Sequence, residues 1–343
     1  MKRAWLLLMA ALLSGCGQLG YLSQSLGGHL RLMSAARPVD DWLAQPDLSP
    51  ALRDQLVLSR RIRDFASASL HLPDNPSYRR YADLKRSAVV WNVVATPELS
   101  LGLTSSCFPV MGCVGYRGFF DRAAADAHAE TLRKAGLDVM IYGVPAYSTL
   151  GWSNWIGGDP LLNTFINYPE GELAQMIFHE LAHQVAYAAD DTPFNEAFAT
   201  AVERLGAAAW LQSQAGPAAR AEYSAGLARR ERFRALIRPY RDQLAALYAS
   251  EQPEPAKLAG KARLFEQLRA AAAADAGFSA WASRANNASF ALLSAYADLS
   301  PAFEALFKQM GSDWPRFYAE VQRLAALPKP ERRAQLAMPK QGD

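Results

Sequence analysis

Pro169-Glu-Gly-Glu-Leu-Ala-Gln-Met-Ile-Phe-His179-Glu180-Leu-Ala-His183-Gln184 is the stretch on which the reading of this chain turns. A proline followed by Glu170 and Glu172 marks a helix start, because proline is tolerated in the first turn and carboxylates favour the positive end of the helix dipole. Leu173, Ile177, Phe178, Leu181 and Val185 then recur at helical spacing and predict the face that buries. On such a helix His179 and His183 stand one turn apart on one face, so two imidazoles reach a single cation. Glu180, next to the first histidine, projects to its side, where it can take a proton from water activated by that cation and pass it to a leaving amine. Two histidines at this spacing also arise by chance in packed helices. Here they are two of only five in the chain, and a carboxylate-bearing helix follows at fitting distance.

That second helix is signalled by Asp190-Asp191-Thr192-Pro193, a turn in which Thr192 reads as the cap and Pro193 as the first helical residue. The helix then runs from Phe194 to about Gly206, with Glu196, Thr200 and Glu203 on one face at i, i+4 and i+7. Packed antiparallel to the first helix, it sets that face opposite the histidines. Zinc sites that catalyse hydrolysis need a third protein ligand and an open fourth position, and Glu196 is the ligand expected here.

The combination of His179-Glu-Leu-Ala-His183 with Asn195-Glu196-Ala-Phe-Ala-Thr200 resembles the gluzincin class of metallopeptidases and, more narrowly, a family of bacterial predicted aminopeptidases. The narrower likeness extends to Cys107-Phe-Pro-Val-Met-Gly-Cys113-Val-Gly-Tyr-Arg-Gly, to Asn286-Asn287-Ala288 and to Asp313-Trp314. It implies an α+β, predominantly helical gluzincin-like fold with a small β-sheet before the His-Glu-x-x-His helix. It also implies one Zn²⁺ per chain and cleavage of peptides from their free N-termini. The interval from His183 to Glu196 is shorter than in thermolysin-like gluzincins, which keeps Glu203 open as the third ligand. The Asn-Glu pair just after a helix start favours Glu196, with Glu203 and Thr200 then standing behind the ligands, Glu203 orienting a histidine. A gluzincin also needs an oxyanion stabiliser. Tyr296 is the choice among Tyr296, Tyr187, Tyr147 and Tyr223, although a packed tyrosine with a bonded hydroxyl is the commoner role for each. An aminopeptidase needs an anion for the substrate ammonium. Glu172, seven residues before His179 on the ligand face, is the candidate, beside its simpler role at the helix dipole. Arg117 and Trp152 are candidate channel-lining residues.

At the other end of the chain, Lys2 and Arg3 precede an apolar run from Ala4 to Leu13 and then Leu13-Ser14-Gly15-Cys16. This resembles a bacterial lipoprotein signal, too short to remain as a membrane span. The expectation is removal of residues 1–15, lipidation of Cys16 and, since Gly17 rather than Asp follows, an outer-membrane anchor with the domain facing the periplasm. In that oxidising compartment the two remaining cysteines, Cys107 and Cys113, are expected to form a disulfide rather than a metal site.

Between these signals, residues 17–48 read as tether and linker, and 49–330 as a single metallopeptidase domain. Its parts are an α/β portion over 49–168, the paired helices over 169–206 and a helical portion over 207–330, with a tail over 331–343. Ser49-Pro50 opens a helix to about Leu70, Ala88 to Ala95 and Leu137 to Val144 read as strands, and Asp121 starts a helix ending at Gly136. Leu227 to Tyr248 is an arginine-rich helix, bent at Pro239, whose charges read as a solvated face. The formal charge of +3 includes Lys2 and Arg3 in the leader, so nothing points to nucleic acid. The function expected is zinc-dependent peptide hydrolysis in the cell envelope, with peptide as partner and the membrane reached through the lipid. The rivals are an envelope endopeptidase and a non-catalytic binding lipoprotein that keeps a structural metal.

Overall fold

The computed structural model describes residues 27–108, 112–146, 157–189, 191–295 and 299–337. Cys16, Tyr147, Trp152 and Tyr296 lie outside them. The chain is α+β and predominantly helical, and every described strand precedes the helix that carries the paired histidines. In order, helix α1 covers 27–35, β1 Arg37–Pro38, α2 Val39–Leu43, α3 Pro50–Ala68, β2 Arg80–Ala82, β3 Val90–Thr96, β4 Ser106–Phe108, β5 Gly112–Val114, β6 Arg117–Phe119, α4 Arg122–Lys134, β7 Asp138–Val144 and β8 Leu161–Leu162. The helices α5 Glu170–Ala182, α6 Thr192–Ser213, α7 Pro217–Ala249, α8 Glu254–Ala272, α9 Ala276–Ala282, α10 Asn287–Ala295, α11 Ser300–Gln309, α12 Trp314–Ala325 and α13 Lys329–Ala337 follow.

The strands form three small sheets, ordered β1-β2-β8, β6-β3-β7 and β4-β5. The long pair is β3 with β7, antiparallel from Val90 opposite Val144 to Thr96 opposite Asp138. Its inner face meets Ala125 and Ala129 of α4, whose small side chains let the helix lie close to Val93, Ala95 and Val139. Asp121 caps α4 by accepting from the Ala124 amide, and Gly136 takes φ +80° to end the turn that follows, as the sequence signals predict. Cys107 stands opposite Cys113 in the β4–β5 hairpin, and the two form a disulfide.

Two sequence expectations are corrected by packing. Residues 27–48 are not all tether: Leu32, Met33, Ala36 and Val39 are buried in the main core, and β1 pairs with β2. Similarly, the expected tail is structured up to residue 337, because α13 inserts Leu336 and the buried Arg332 against the domain. Segments of only two or three turns carry little periodic signal, so their burial is decided by the surface they meet. The arginine-rich helix also starts ten residues earlier than read, and α7 is one continuous helix through Pro239.

The main core is built around α5 and α6. On α5, Leu173, Ala174, Ile177, Phe178, Leu181 and Ala182 are fully buried. On α6, alanines alternate with Phe194, Phe198 and Val202, and the small residues let the two helices approach. Gly206 is the tightest point: a Cβ there would lie 2.7 Å from Leu70 and 2.8 Å from Phe178. Behind α6, Phe198 packs on Phe303, Phe317 and Tyr318. The paired histidines and the facing glutamates are therefore mounted on helices whose opposite faces are buried in the main core. A second, smaller core joins α7, α8, α9 and α10 through Ile237, Leu244, Phe265, Leu268 and Phe290.

Candidate metal centre

Helix α5 begins after Pro169, and Glu170 anchors its first turn by accepting from Trp210 Nε1 of α6 at 2.9 Å. The turn joining α5 to α6 is fixed from within. Asn195 Oδ1 accepts from the Ala188 amide and Asn195 Nδ2 donates to the Ala188 carbonyl, both at 2.8 Å. One buried amide side chain so satisfies both peptide groups of a residue in the turn, and the next residue, Glu196, is aimed at α5.

Asp191, rather than Thr192, is the cap of α6, accepting from the Phe194 amide; Thr192 opens the helix itself. The carboxylate wins because it also holds two cations from α13, Arg332 at 3.0 Å and Arg333 through both oxygens. Burial opposes its ionisation, but the hydrogen bonds from Arg333 and Arg332 outweigh this and hold the carboxyl below its ordinary value. The supposed tail is thus the clamp on the helix that carries Glu196.

Three donors converge. His179 Nε2 and His183 Nε2 are 3.2 Å apart; Glu196 Oε2 lies 3.5 Å from the former and Oε1 3.9 Å from the latter. All three ligand atoms fall within 4.8 Å of one another. Tetrahedral ligands about 2.0–2.1 Å from an ion stand roughly 3.3 Å apart, so the donor set fits a zinc-sized cation. Glu203 is not a fourth member. It accepts from His179 Nδ1 at 2.8 Å, on the far side of the ring, which leaves Nε2 to face the centre. Thr200 lines the cleft between the two glutamates and bonds neither histidine.

The two imidazoles differ electrostatically. Burial works against a charge on His179, but hydrogen bonds to Glu196 and Glu203 prevail and raise its pKa well above the ordinary value. His183, buried and facing the charge on His179, is pushed down to about 4. Glu196 is held below its ordinary value, since the His179 hydrogen bond and the nearby imidazoles override burial.

A cleft of about 1100 Å³ opens on this centre, with Glu180 on its wall beside His179. The other expected residues fare differently. Glu172 lines the cleft but accepts from Arg230 of α7 at 2.8 Å, so its charge is already matched by a cation. Arg117 lies away from the cleft on β6, its guanidinium over the Phe119 ring and near enough to help depress His128, which burial mainly lowers. Its strand pairs on the far side of β3 from β7, and that distance removes it from the lining. Tyr187 is 47% exposed on the turn after His183, and Tyr223 packs on Gly171, where a Cβ would meet its ring at 2.5 Å.

Two tyrosines were not singled out by sequence. Tyr142 on β7 accepts from Asn92 at 3.1 Å; burial and the charge of Glu196 keep its phenol above the ordinary value despite that bond. Tyr78, at φ +62°, has a buried hydroxyl without a hydrogen-bond partner among the described residues, and burial with the charge of Glu180 raises it well above the ordinary value. Neither carries a motif: only the fold sets them near the two glutamates.

Residues 20–336 match the profile of the family described as "Putative aminopeptidase". The chain belongs to that family. No curated protein and no solved structure matches it.

Proposed function

We propose that the chain is a zinc-dependent peptidase of the gluzincin type, with His179, His183 and Glu196 holding one zinc ion and Glu180 acting as general base. The observation that carries this is the three-donor cluster with Glu203 behind it: Glu203 engages the remote nitrogen of His179, so that among the described residues the cluster offers three protein donors, the number an open catalytic zinc site uses. A structural zinc would close the fourth position with protein. Nitrogen and carboxylate donors suit Zn²⁺.

When bound, the ion supplies Lewis acidity that lowers the pKa of water and polarises a carbonyl. Glu180 takes the proton from the attacking water and returns it to the departing amine. Glu203 accepts from His179 Nδ1–H and fixes that ring's tautomer and direction. Glu196, held ionised, keeps the donor set anionic enough to retain a dication.

Family membership supports aminopeptidase action. The pairing of Glu172 with Arg230 supports a second reading, endopeptidase cleavage, because the candidate anchor for a substrate ammonium is occupied within the cleft. Mass spectrometry of the products from one long peptide separates the two: stepwise loss of N-terminal residues or internal fragments.

The same proposal places the domain in the bacterial envelope, lipidated at Cys16 and facing the periplasm from the outer membrane; the leader residues support it. No helix among the described residues is long and apolar enough to cross a membrane. Palmitate labelling that survives Cys16→Ala would refute the anchor.

The deciding experiment measures metal content and peptide turnover of wild type, His179→Ala and Glu180→Gln. Zinc lost with the histidine, and turnover lost with the glutamate while zinc stays, is the expected pattern. Turnover indifferent to both changes would sink the proposal.

A further inference from the structure

The arginines of α7 are solvated, as their charge predicts, and four of them also line the cleft. Arg230, Arg234, Arg238 and Arg241 fall at i, i+4, i+8 and i+11, within about 100° of one another around a helix of 3.6 residues per turn. With Leu227 and Ile237 they form the wall of the cleft that faces the metal centre. Arg229 and Arg232 point off this stripe and do not line it. Phe233, Leu236 and Tyr240 turn to the second core, and that packing fixes which side of α7 the cleft receives.

The row is weakly neutralised. Arg230 has Glu172, but Arg234 meets only Glu231 at 3.6 Å and Arg241 only Asp242 at 4.0 Å, both pairs being solvent-exposed and worth little. Arg238 has no acidic partner among the described residues. Of the other lining carboxylates, Glu196 and Glu203 face the histidines and Glu180 stands beside His179. The α7 side of the cleft therefore carries four arginines against Glu231 and the already paired Glu172, while Arg204, paired with Glu304, is the lining arginine of α6.

The spacing suits a particular occupant. Along the axis Arg234 and Arg238 are about 6 Å apart and Arg238 and Arg241 about 4.5 Å, and long guanidinium arms span the difference to the roughly 7 Å between alternate residues on one face of an extended peptide. From Arg230 to Arg241 the row runs about 16 Å, the length of roughly five extended residues. We propose that the cleft selects acidic peptides, whose carboxylates on alternate residues pair with Arg234, Arg238 and Arg241 while the peptide bond to be cut lies at the metal centre. The choice of a peptide as occupant rests on the peptidase reading above; the choice of an acidic one rests on the row.

The test uses the full-length chain in detergent micelles, supplied with zinc and carrying Glu180→Gln so that the probe stays intact. Binding is followed by the anisotropy of a labelled peptide alternating glutamate with alanine, and of its lysine counterpart. The glutamate peptide should bind at least about tenfold more tightly, and adding Arg234→Gln, Arg238→Gln and Arg241→Gln together should remove that advantage. Replacing the same three by glutamate should reverse the preference, a gain that a misfolded chain cannot mimic. The pair Arg229→Gln and Arg232→Gln, equal in kind but off the stripe, should bind as the parent does. Equal affinity for both peptides, or a preference unmoved by the triple change, overturns the inference. So does an α7 row needed only for association with phosphatidylglycerol-containing vesicles and not for peptide choice. Turnover of the same peptides by the wild-type chain is read separately: hydrolysis without charge preference sinks this inference alone, and charge-selective binding without hydrolysis sinks the peptidase reading alone.

Discussion

The two walls of the cleft are built on opposite principles. The α5–α6 wall mounts its polar groups on helices whose other faces are fully buried, and Asn195, Asp191, Arg332 and Arg333 lock the turn and the cap between them. The α7 wall is a helix of 33 residues with only Ile237 and Leu244 buried, and its arginines are long side chains half in solvent. A reacting group must be held to within fractions of an ångström, which requires packing and hydrogen bonds around it. A charge that attracts a ligand acts over several ångströms through water and tolerates loose placement. Burial and side-chain hydrogen bonding are thus concentrated on the α5–α6 wall.

The contrast is most exposed to refutation at Glu180. Glu180→Gln removes one proton acceptor from the rigid wall without changing its shape, and turnover should fall by roughly 10²–10⁴ with zinc content unchanged. Stopped-time product assays beside metal analysis check this. A fall of only a few-fold would mean that the rigid wall does not hold the base.

Next in size is the clamp. Asp191→Ala leaves Arg332 buried without its partner carboxylate and removes the α6 cap, so denaturant unfolding should show a loss of about 3–5 kcal/mol. The depressed Asp191 pKa gives the sign of the acid dependence. The carboxylate stabilises the fold above the unfolded-state value, and that contribution is lost as pH falls through the lower folded value. The gap in stability between wild type and Asp191→Asn should therefore narrow below about pH 4. A gap constant with pH would mean that the ion pair is not what holds α13 to α6.

Glu203→Ala is the smaller test of the same wall. It leaves all three donors in place and removes only the acceptor behind His179, so zinc affinity should weaken by about 10–100-fold in a competition with a chromogenic chelator. Unchanged affinity would place the orientation of His179 in the packing alone. The smallest effect belongs to the other wall: Arg234→Gln, exposed and loosely paired, should shift global stability by less than about 0.5 kcal/mol in thermal melts. A large loss there would show α7 to be as structural as α5, and the contrast would fail.

Legibility followed the range of the interactions. The helix of His179 and His183, the facing helix of Glu196 and Glu203, the Asp121 cap and the β3 and β7 strands were readable because each depends on neighbours three to four residues away or on alternation along a strand. The cap of α6 was misplaced by one residue, since Asp191 and Thr192 are both good caps locally and the choice is made by Arg332 and Arg333, about 140 positions later.

By itself the sequence determined which residues present nitrogen and carboxylate donors at helical spacing and which residues bury to hold those helices. Their chemistry and periodicity are local properties. Only the tertiary structure decided that Glu172 is matched by Arg230, that Leu32, Met33, Ala36 and Val39 join the core, that Tyr142 and Tyr78 lie near the cleft glutamates, and that the arginine stripe of α7 lines the same cleft as His179 and Glu196. Each of these joins positions far apart in the chain. Burial of apolar surface selects such pairings but is non-directional, so no local pattern announces which partner a polar face will meet.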